Sequence, residues 1–274
     1  MTPDDIAAAG LLVEVTGPLA TLTLHRPEVR NAQTPTMWRA LAQVGADLGP
    51  EVRVVVVRGS GAGFSAGLDR RLLDPASASG GPESVIDMFA MSETDMTATI
   101  EAYQRGFTFL RDPQWVSVAV VHGHAVGAGF QLALSCDLRL AAPDAAFCMK
   151  ESALGMVPDL TGTQPLVAAV GYARALEICA TSRTVGAEEA LRIGLVQEVA
   201  PAGQLDQRLH ALVAGLLGPL PGAVRETKAL LQGALERSLE DQRRLEREAQ
   251  VRRFRELAAL VPSAGVVAPV RSGT

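Results

Sequence analysis

Two glycine-rich stretches carry the first chemical signal of the chain. One is Gly59-Ser60-Gly61-Ala62-Gly63-Phe64-Ser65-Ala66-Gly67-Leu68-Asp69, and the other runs from Gly123 to Gly129. Each follows a short apolar run. Small residues let backbone N–H groups approach a ligand, and a helix start behind them favours negative charge. Two converging N–H groups would form an oxyanion hole. The plainer alternative is a pair of tight turns that pack strands against helices.

Other chemistries fit less well. Residues 61–66 match the G-x-G-x-x-[GA] dinucleotide fingerprint. The return strand it needs is missing, because 75–83 (PASASGGPE) reads as a loop that also contains Glu83. Gly63-Phe64-Ser65-Ala66-Gly67 reads G-x-S-x-G, yet a nucleophile elbow needs a strand directly before it, a helix directly after, and a triad. His210 is the only late histidine and sits in a charged helical stretch. His122 and His124 flank Gly123 and cannot alone make a metal site, so no metal is expected. Glu151 follows Lys150 and, by itself, reads as half of a surface ion pair. Thr161-Gly162-Thr163-Gln164 fits a capping box, which leaves Asp159 unneeded as a cap.

Alternating strands and helices must position these groups. Residues 11–16 and 19–25, with Gly17-Pro18 between, predict a hairpin. Met37, Leu41, Val44 and Leu48 predict a helix ended by Gly49-Pro50. Val52 and Val54–Val57 predict a strand buried on both faces. A helix through Met96, Tyr103, Phe107 and Leu110 stops at Pro113. Residues 116–121 and 136–141 predict two more strands, with a small-residue loop and a short helix at 130–134 between them. Beyond Pro165 the pattern is helical, with one strand near 195–199 and a charge-dense helix over 237–255. This is an α/β core followed by a helical C-terminal part.

Composition narrows the class. The chain has 274 residues, 48% hydrophobic and 20% charged, which is globular composition. Lys and Arg total 25 against 30 Asp and Glu, a net charge of -5, so no nucleic-acid partner is expected. Three cysteines without C-x-x-C spacing suit a reduced compartment. The start is acidic and lacks the basic region of a signal peptide, and no apolar run is long enough to span a membrane. A cytoplasmic protein is the expectation.

Five stretches together resemble the crotonase (enoyl-CoA hydratase/isomerase) superfamily. They are HRPEVRNAQTPTM (25–37), RVVVVRGSGAGFSAGLD (53–69), VAVVHGHAVGAGFQLALSCDLRLAAPDAAF (118–147), LGMVPDLTGT (154–163) and GYARALEICATSRTVGAEEALRIGLVQEV (171–199). The resemblance implies an α/β spiral of ββα turns over 1–200 that carries an acyl-CoA site. It also implies a helical oligomerisation region over 201–274, in a homotrimer or a hexamer built as a dimer of trimers. It implies coenzyme A as part of a thioester substrate and no permanently bound cofactor.

By motif position, the oxyanion N–H groups belong to Leu68 and Ala128. Ala66 and Asp69 beside Leu68, and Arg26 and Arg30 in the early segment, fall where the family contacts its ligand; Lys228 is a further candidate for the phosphates. The family's hydratases use two glutamates on water. One matches Glu151, and the other is Gln131 here. An amide cannot give or take a proton at neutral pH. Members with one carboxylate at the Glu151 position can act as double-bond isomerases, and some use an Asp in the PD element, here Asp159. The catalytic candidates are therefore Glu151, Asp159 and Gln131, and the chemistry leans to isomerisation. A sluggish hydratase and a noncatalytic acyl-CoA binding protein are the alternatives, and an NAD-linked oxidoreductase is the competing class outside the family.

Overall fold

A computed structural model describes residues 1–73 and 84–260. The predicted loop at 75–83 lies outside the described residues. Two compact units divide at Gly218/Pro219, so the first unit runs past residue 200.

The first unit opens with a short helix α1 (Pro3–Ala8) and the hairpin β1 (Leu11–Thr16) and β2 (Leu19–Leu24). Helix α2 (Pro35–Asp47), strand β3 (Val54–Gly59), α3 (Val85–Phe89) and α4 (Glu93–Thr108) follow. Then come β4 (Val116–Val121), β5 (His124–Val126), α5 (Ala128–Ser135), β6 (Leu138–Ala141) and β7 (Ala146–Cys148). Helices α6 (Thr163–Val170) and α7 (Tyr172–Thr181), strand β8 (Thr184–Gly186), α8 (Ala187–Arg192), β9 (Glu198–Val199) and α9 (Leu205–Leu217) complete it.

The main sheet has six strands in the order β1-β2-β3-β4-β6-β9, antiparallel only between β1 and β2. The valine run explains its centre. Val55 and Val57 face a core with Leu22, Phe64, Ala119 and Phe130. Val54 and Val56 face Val118, Val120 and Leu140, covered by Leu209 and Val213 of α9. Each buried valine contributes roughly 1.5 kcal/mol or more, and alternate residues can all contribute because both faces are covered.

Two sequence expectations change. The small-residue loop after β4 contains strand β5, which joins β7 and β8 in a second, three-stranded sheet. The capping box at 161–164 does not form: Gly162 caps α6 without a side-chain bond. Thr161 instead adopts φ +68°, with its hydroxyl 3.5 Å from that of Ser135.

The second unit contains α10 (Pro221–Leu231) and α11 (Leu239–Leu260). Arg252 on α11 grips Glu226 on α10 with two bonds of 2.7 and 2.8 Å. Pairs such as Arg244–Glu248 line α11, the pattern of a solvated helix.

Candidate active site

The two glycine loops lie against each other. Ser65 N–H donates to the His124 carbonyl at 2.8 Å, and Val126 N–H returns to the Ser65 carbonyl at 3.0 Å. Gly67, at φ +84°, sits where a Cβ would come 2.4 Å from the Val126 oxygen and 3.5 Å from the Ala128 nitrogen. Only glycine permits that approach, and it brings the turn before Leu68 onto the start of α5.

Backbone pairing then aims the Leu68 amide. Gln33 N–H donates to the Gly67 carbonyl at 2.7 Å, and Asp69 N–H donates to the Gln33 carbonyl at 2.8 Å. This parallel bridge turns the N–H of Leu68 to the opposite side. Ala128 is the first residue of α5, where helix geometry supplies no acceptor for its N–H. Leu68 and Ala128 thus present amides from two adjoining loops, which supports the oxyanion-hole reading over plain turns.

A buried relay stiffens the first loop. Trp38 Nε1–H donates to Gln33 Oε1 at 2.8 Å, and Gln33 Nε2 donates to Ser65 Oγ at 3.1 Å. Ser65 Oγ donates to the Asn31 carbonyl at 2.7 Å and accepts from Gly67 N–H at 3.2 Å. Ser65 is therefore a brace, its hydroxyl taken up by Gln33, Asn31 and Gly67. Gln33, and the bracing role of Ser65, escape sequence reading because the two lie 32 residues apart.

Glu151 is buried, 7% exposed, in a one-turn helix. The surface ion pair suggested by Lys150 is not what forms. Its Oε1 accepts from Gln131 Nε2 at 2.7 Å. Its Oε2 is fully buried and, among the described residues, has no partner. A Cβ on Gly127, the residue before Ala128, would lie 3.3 Å from Oε1, so the carboxyl packs directly beside the second loop. Burial pushes the Glu151 carboxyl up, against smaller downward pulls from its own backbone N–H, the Gln131 bond and the Lys150 backbone, and with a small upward push from Asp159.

Gln131 is fully buried on α5. Its Oε1 accepts from Leu160 N–H at 2.8 Å and from Gly162 N–H at 3.2 Å. Both lone pairs of that oxygen are thereby occupied. Gly162 lies so close that a Cβ there would meet Gln131 Cγ at 2.7 Å. The turn that follows Asp159 is wrapped around this one side chain.

Asp159 is exposed at the edge of this cluster, and partial desolvation raises its carboxyl. Gln104 on α4 holds its backbone carbonyl at 2.7 Å.

The predicted ligand contacts divide. Asp69, 5% exposed, is tied to Arg71 at 2.7 Å and to Arg26 at 3.1 Å, which hold its carboxyl down at about 2. Arg26 also donates to the Ala32 carbonyl at 2.6 Å, so its guanidinium is engaged inside the fold. Arg30 is exposed beside Ala66, whose N–H donates to the Arg30 carbonyl at 2.9 Å. Arg71, missed in the sequence, has a side chain 67% exposed and oriented by Asp69. The Asp-x-Arg spacing carries no signal by itself, because it matters only once Asp69 is buried. Lys228 is buried. Among the described residues, no group of His, Cys, Asp and Glu could hold a metal ion, and no helix is long and apolar enough to cross a membrane.

Comparison with known proteins converges on the same residues' family. The enoyl-CoA hydratase/isomerase family model matches residues 14–259. The chain belongs to the enoyl-CoA hydratase/isomerase family. Among its relatives is the peroxisomal Δ(3,5)-Δ(2,4)-dienoyl-CoA isomerase of Arabidopsis thaliana, 33% identical, covering 80% of this chain and 79% of that one. Another is the (E)-benzylidenesuccinyl-CoA hydratase of Thauera aromatica, 31% identical, covering 79% of each. A protein of Thermobifida fusca YX, assigned as an enoyl-CoA hydratase and crystallised with CoA, is 46% identical. It superposes with a TM-score of 0.89, covering 94% of this chain and 98% of that one. The fold is the crotonase fold of this family, with its α/β core and helical C-terminal part, and the dinucleotide and serine-hydrolase readings fall away.

Proposed function

We propose that the chain moves a carbon–carbon double bond in an enoyl-CoA thioester. The observation that carries this reading is the state of Glu151: its carboxyl packs beside the Ala128 loop, with one oxygen held by an amide and the other buried and without a partner among the described residues. The thioester oxygen sits between the N–H groups of Leu68 and Ala128. Glu151 Oε2 takes a proton from carbon, and the C–H electron pair enters the enolate held by those amides. Each such donor is worth about 3 kcal/mol in barrier. Glu151 then returns the proton at the far carbon, or Asp159, entering the cycle protonated, gives its own proton there and the two carboxyls regain their states by proton exchange with water; either way the double bond has moved with no atom gained or lost from the thioester.

The relative named as a dienoyl-CoA isomerase supports this chemistry, and the CoA and acetoacetyl-CoA complexes of the Thermobifida protein support the thioester. The exposed guanidinium groups of Arg30 and Arg71 suit the phosphates of CoA. Hydration is the second reading, favoured by the relative named as a hydratase. It needs a second group to accept a proton from water, and Gln131 Oε1 is already occupied twice. An NMR time course with a 3-enoyl-CoA separates the two. Accumulation of 2-enoyl-CoA is expected; onward passage to 3-hydroxyacyl-CoA, which forms through 2-enoyl-CoA, would show that Gln131 does not prevent hydration. Hydration of supplied 2-enoyl-CoA without any conversion of 3-enoyl-CoA would overturn isomerisation, and no conversion of either would favour another acyl group or acyl-CoA binding without catalysis.

We also assign assembly to the second unit, where Leu235, Leu239 and Phe254 are 95%, 77% and 62% exposed. A solution mass in multiples of three chains, measured by light scattering, is the expected result.

A further inference from the structure

We propose that Gln131 is a positioning residue that keeps the negative charge on Glu151 and leaves Oε2 as its single working oxygen. This inference rests on the isomerase reading of the same site. Its basis is a direction of hydrogen bonding that the backbone fixes. Leu160 and Gly162 both present N–H groups to the same atom of residue 131, at 2.8 and 3.2 Å, so that atom is the amide oxygen. The amide nitrogen is then forced toward Glu151, where it donates at 2.7 Å. Oε1 is thus always an acceptor, in either protonation state of Glu151. Proton traffic is confined to Oε2, which is buried and has no partner among the described residues.

An amide suits this place better than a carboxylate for a definite reason. A glutamate at 131 would receive the same two backbone N–H bonds, which favour its ionised form. Glu151, whose Oε2 is buried with no hydrogen-bond partner among the described residues, would become the protonated member of the pair and would cease to be a base. Gln131 therefore sets which of the two positions carries the charge. It also fixes the turn that follows Asp159, because one side chain joins Glu151 to residues 160–162. The other titratable groups around Glu151 are Asp159 on that turn, Cys148 on β7 and Cys179 on α7, with Lys150 next to it in sequence. Gln131 is the side chain that donates a hydrogen bond to the carboxyl.

The test follows the Glu151 carboxyl by 13C NMR in glutamate-labelled protein, with the resonance assigned through Glu151→Gln, beside the pH profile of isomerisation. Gln131→Met keeps bulk but removes donor and acceptor, and the Glu151 midpoint rises by about one pH unit. Gln131→Glu adds a like charge and moves it further, by about two units. In both variants kcat at neutral pH falls about tenfold or more while KM stays within about threefold, and the lost rate returns as pH is raised past the displaced midpoint. A Glu151 midpoint that stays at the wild-type value in either variant overturns the proposal. So does a rate loss of the same factor at every pH, which is the mark of a merely structural role. The titration needs no turnover, so a wild-type protein that binds the thioester but fails to isomerise it overturns the functional reading alone. If Gln131→Met does not fold, the Gln131→Glu titration decides.

Discussion

Asp69 and Glu151 are buried to nearly the same degree, 5% and 7% exposed, and their carboxyls are pushed in opposite directions. Asp69 faces Arg71 and Arg26 and is held at about 2. Glu151 faces one neutral amide, and burial raises it. The difference shows that burial alone does not decide which way a carboxyl is pushed. A carboxyl whose lone pairs are matched by guanidinium groups is a structural anchor that never exchanges protons near neutral pH. One left with an unmatched oxygen can take a proton from carbon and give it back.

The comparison is broken most directly at Glu151. Glu151→Gln is expected to lower turnover about a thousandfold while thioester affinity changes less than about threefold. Steady-state kinetics with binding calorimetry would show it, and retained turnover would move the base elsewhere. In the wild type the rate should climb with pH through a midpoint above 4.5, since the carboxylate is the working form and its folded pKa is raised. An acid limb at or below that value would contradict the burial effect.

Asp159 tests whether one carboxylate or two handle the proton. Asp159→Asn is expected to slow isomerisation about thirtyfold yet leave exchange of the α-proton with deuterated water within about threefold, because Glu151 still removes it. Equal loss of both would make Asp159 part of the same step.

Parts of this arrangement were legible in the sequence, and the limits have physical causes. The valine run at 54–57 declared a strand covered on both faces, and Gly17-Pro18 declared the first hairpin, because both signals are local. Strands β5, β7 and β8 have three residues each, too short for any period to register. The capping box at 161–164 failed because Gln131, thirty residues away, claims the amides of Leu160 and Gly162 and forces Thr161 to positive φ. The candidate oxyanion amides of Leu68 and Ala128 were located by family resemblance, since a backbone N–H has no residue signature. Glu151 on its own read as a surface ion pair; only the fold, by burying it beside Gly127, reverses that reading. Arg71 was overlooked because its meaning depends on Asp69 being buried, which charge spacing does not reveal.

The smallest expected effect lies at the anchor. Asp69→Asn removes the partner of Arg26 and Arg71 without touching the candidate base. The Arg71 end is open to solvent and screened, so the cost is set below that of a fully buried pair, at about 1–2 kcal/mol. For a chain of this size that lowers the melting temperature by roughly 2–6 °C. Turnover should fall less than about tenfold, through loosening of the Leu68 loop that follows Gly67. The sign of its pH dependence is fixed by the depressed carboxyl. Asp69 stabilises the fold fully above its ordinary value of 3.8, and that contribution is lost as pH falls toward about 2. The gap in melting temperature between wild type and Asp69→Asn should therefore be constant from neutral pH to about pH 4 and close below it. A gap that instead changed near neutral pH would mean that Asp69 exchanges protons in the working range, and the contrast with Glu151 would no longer hold.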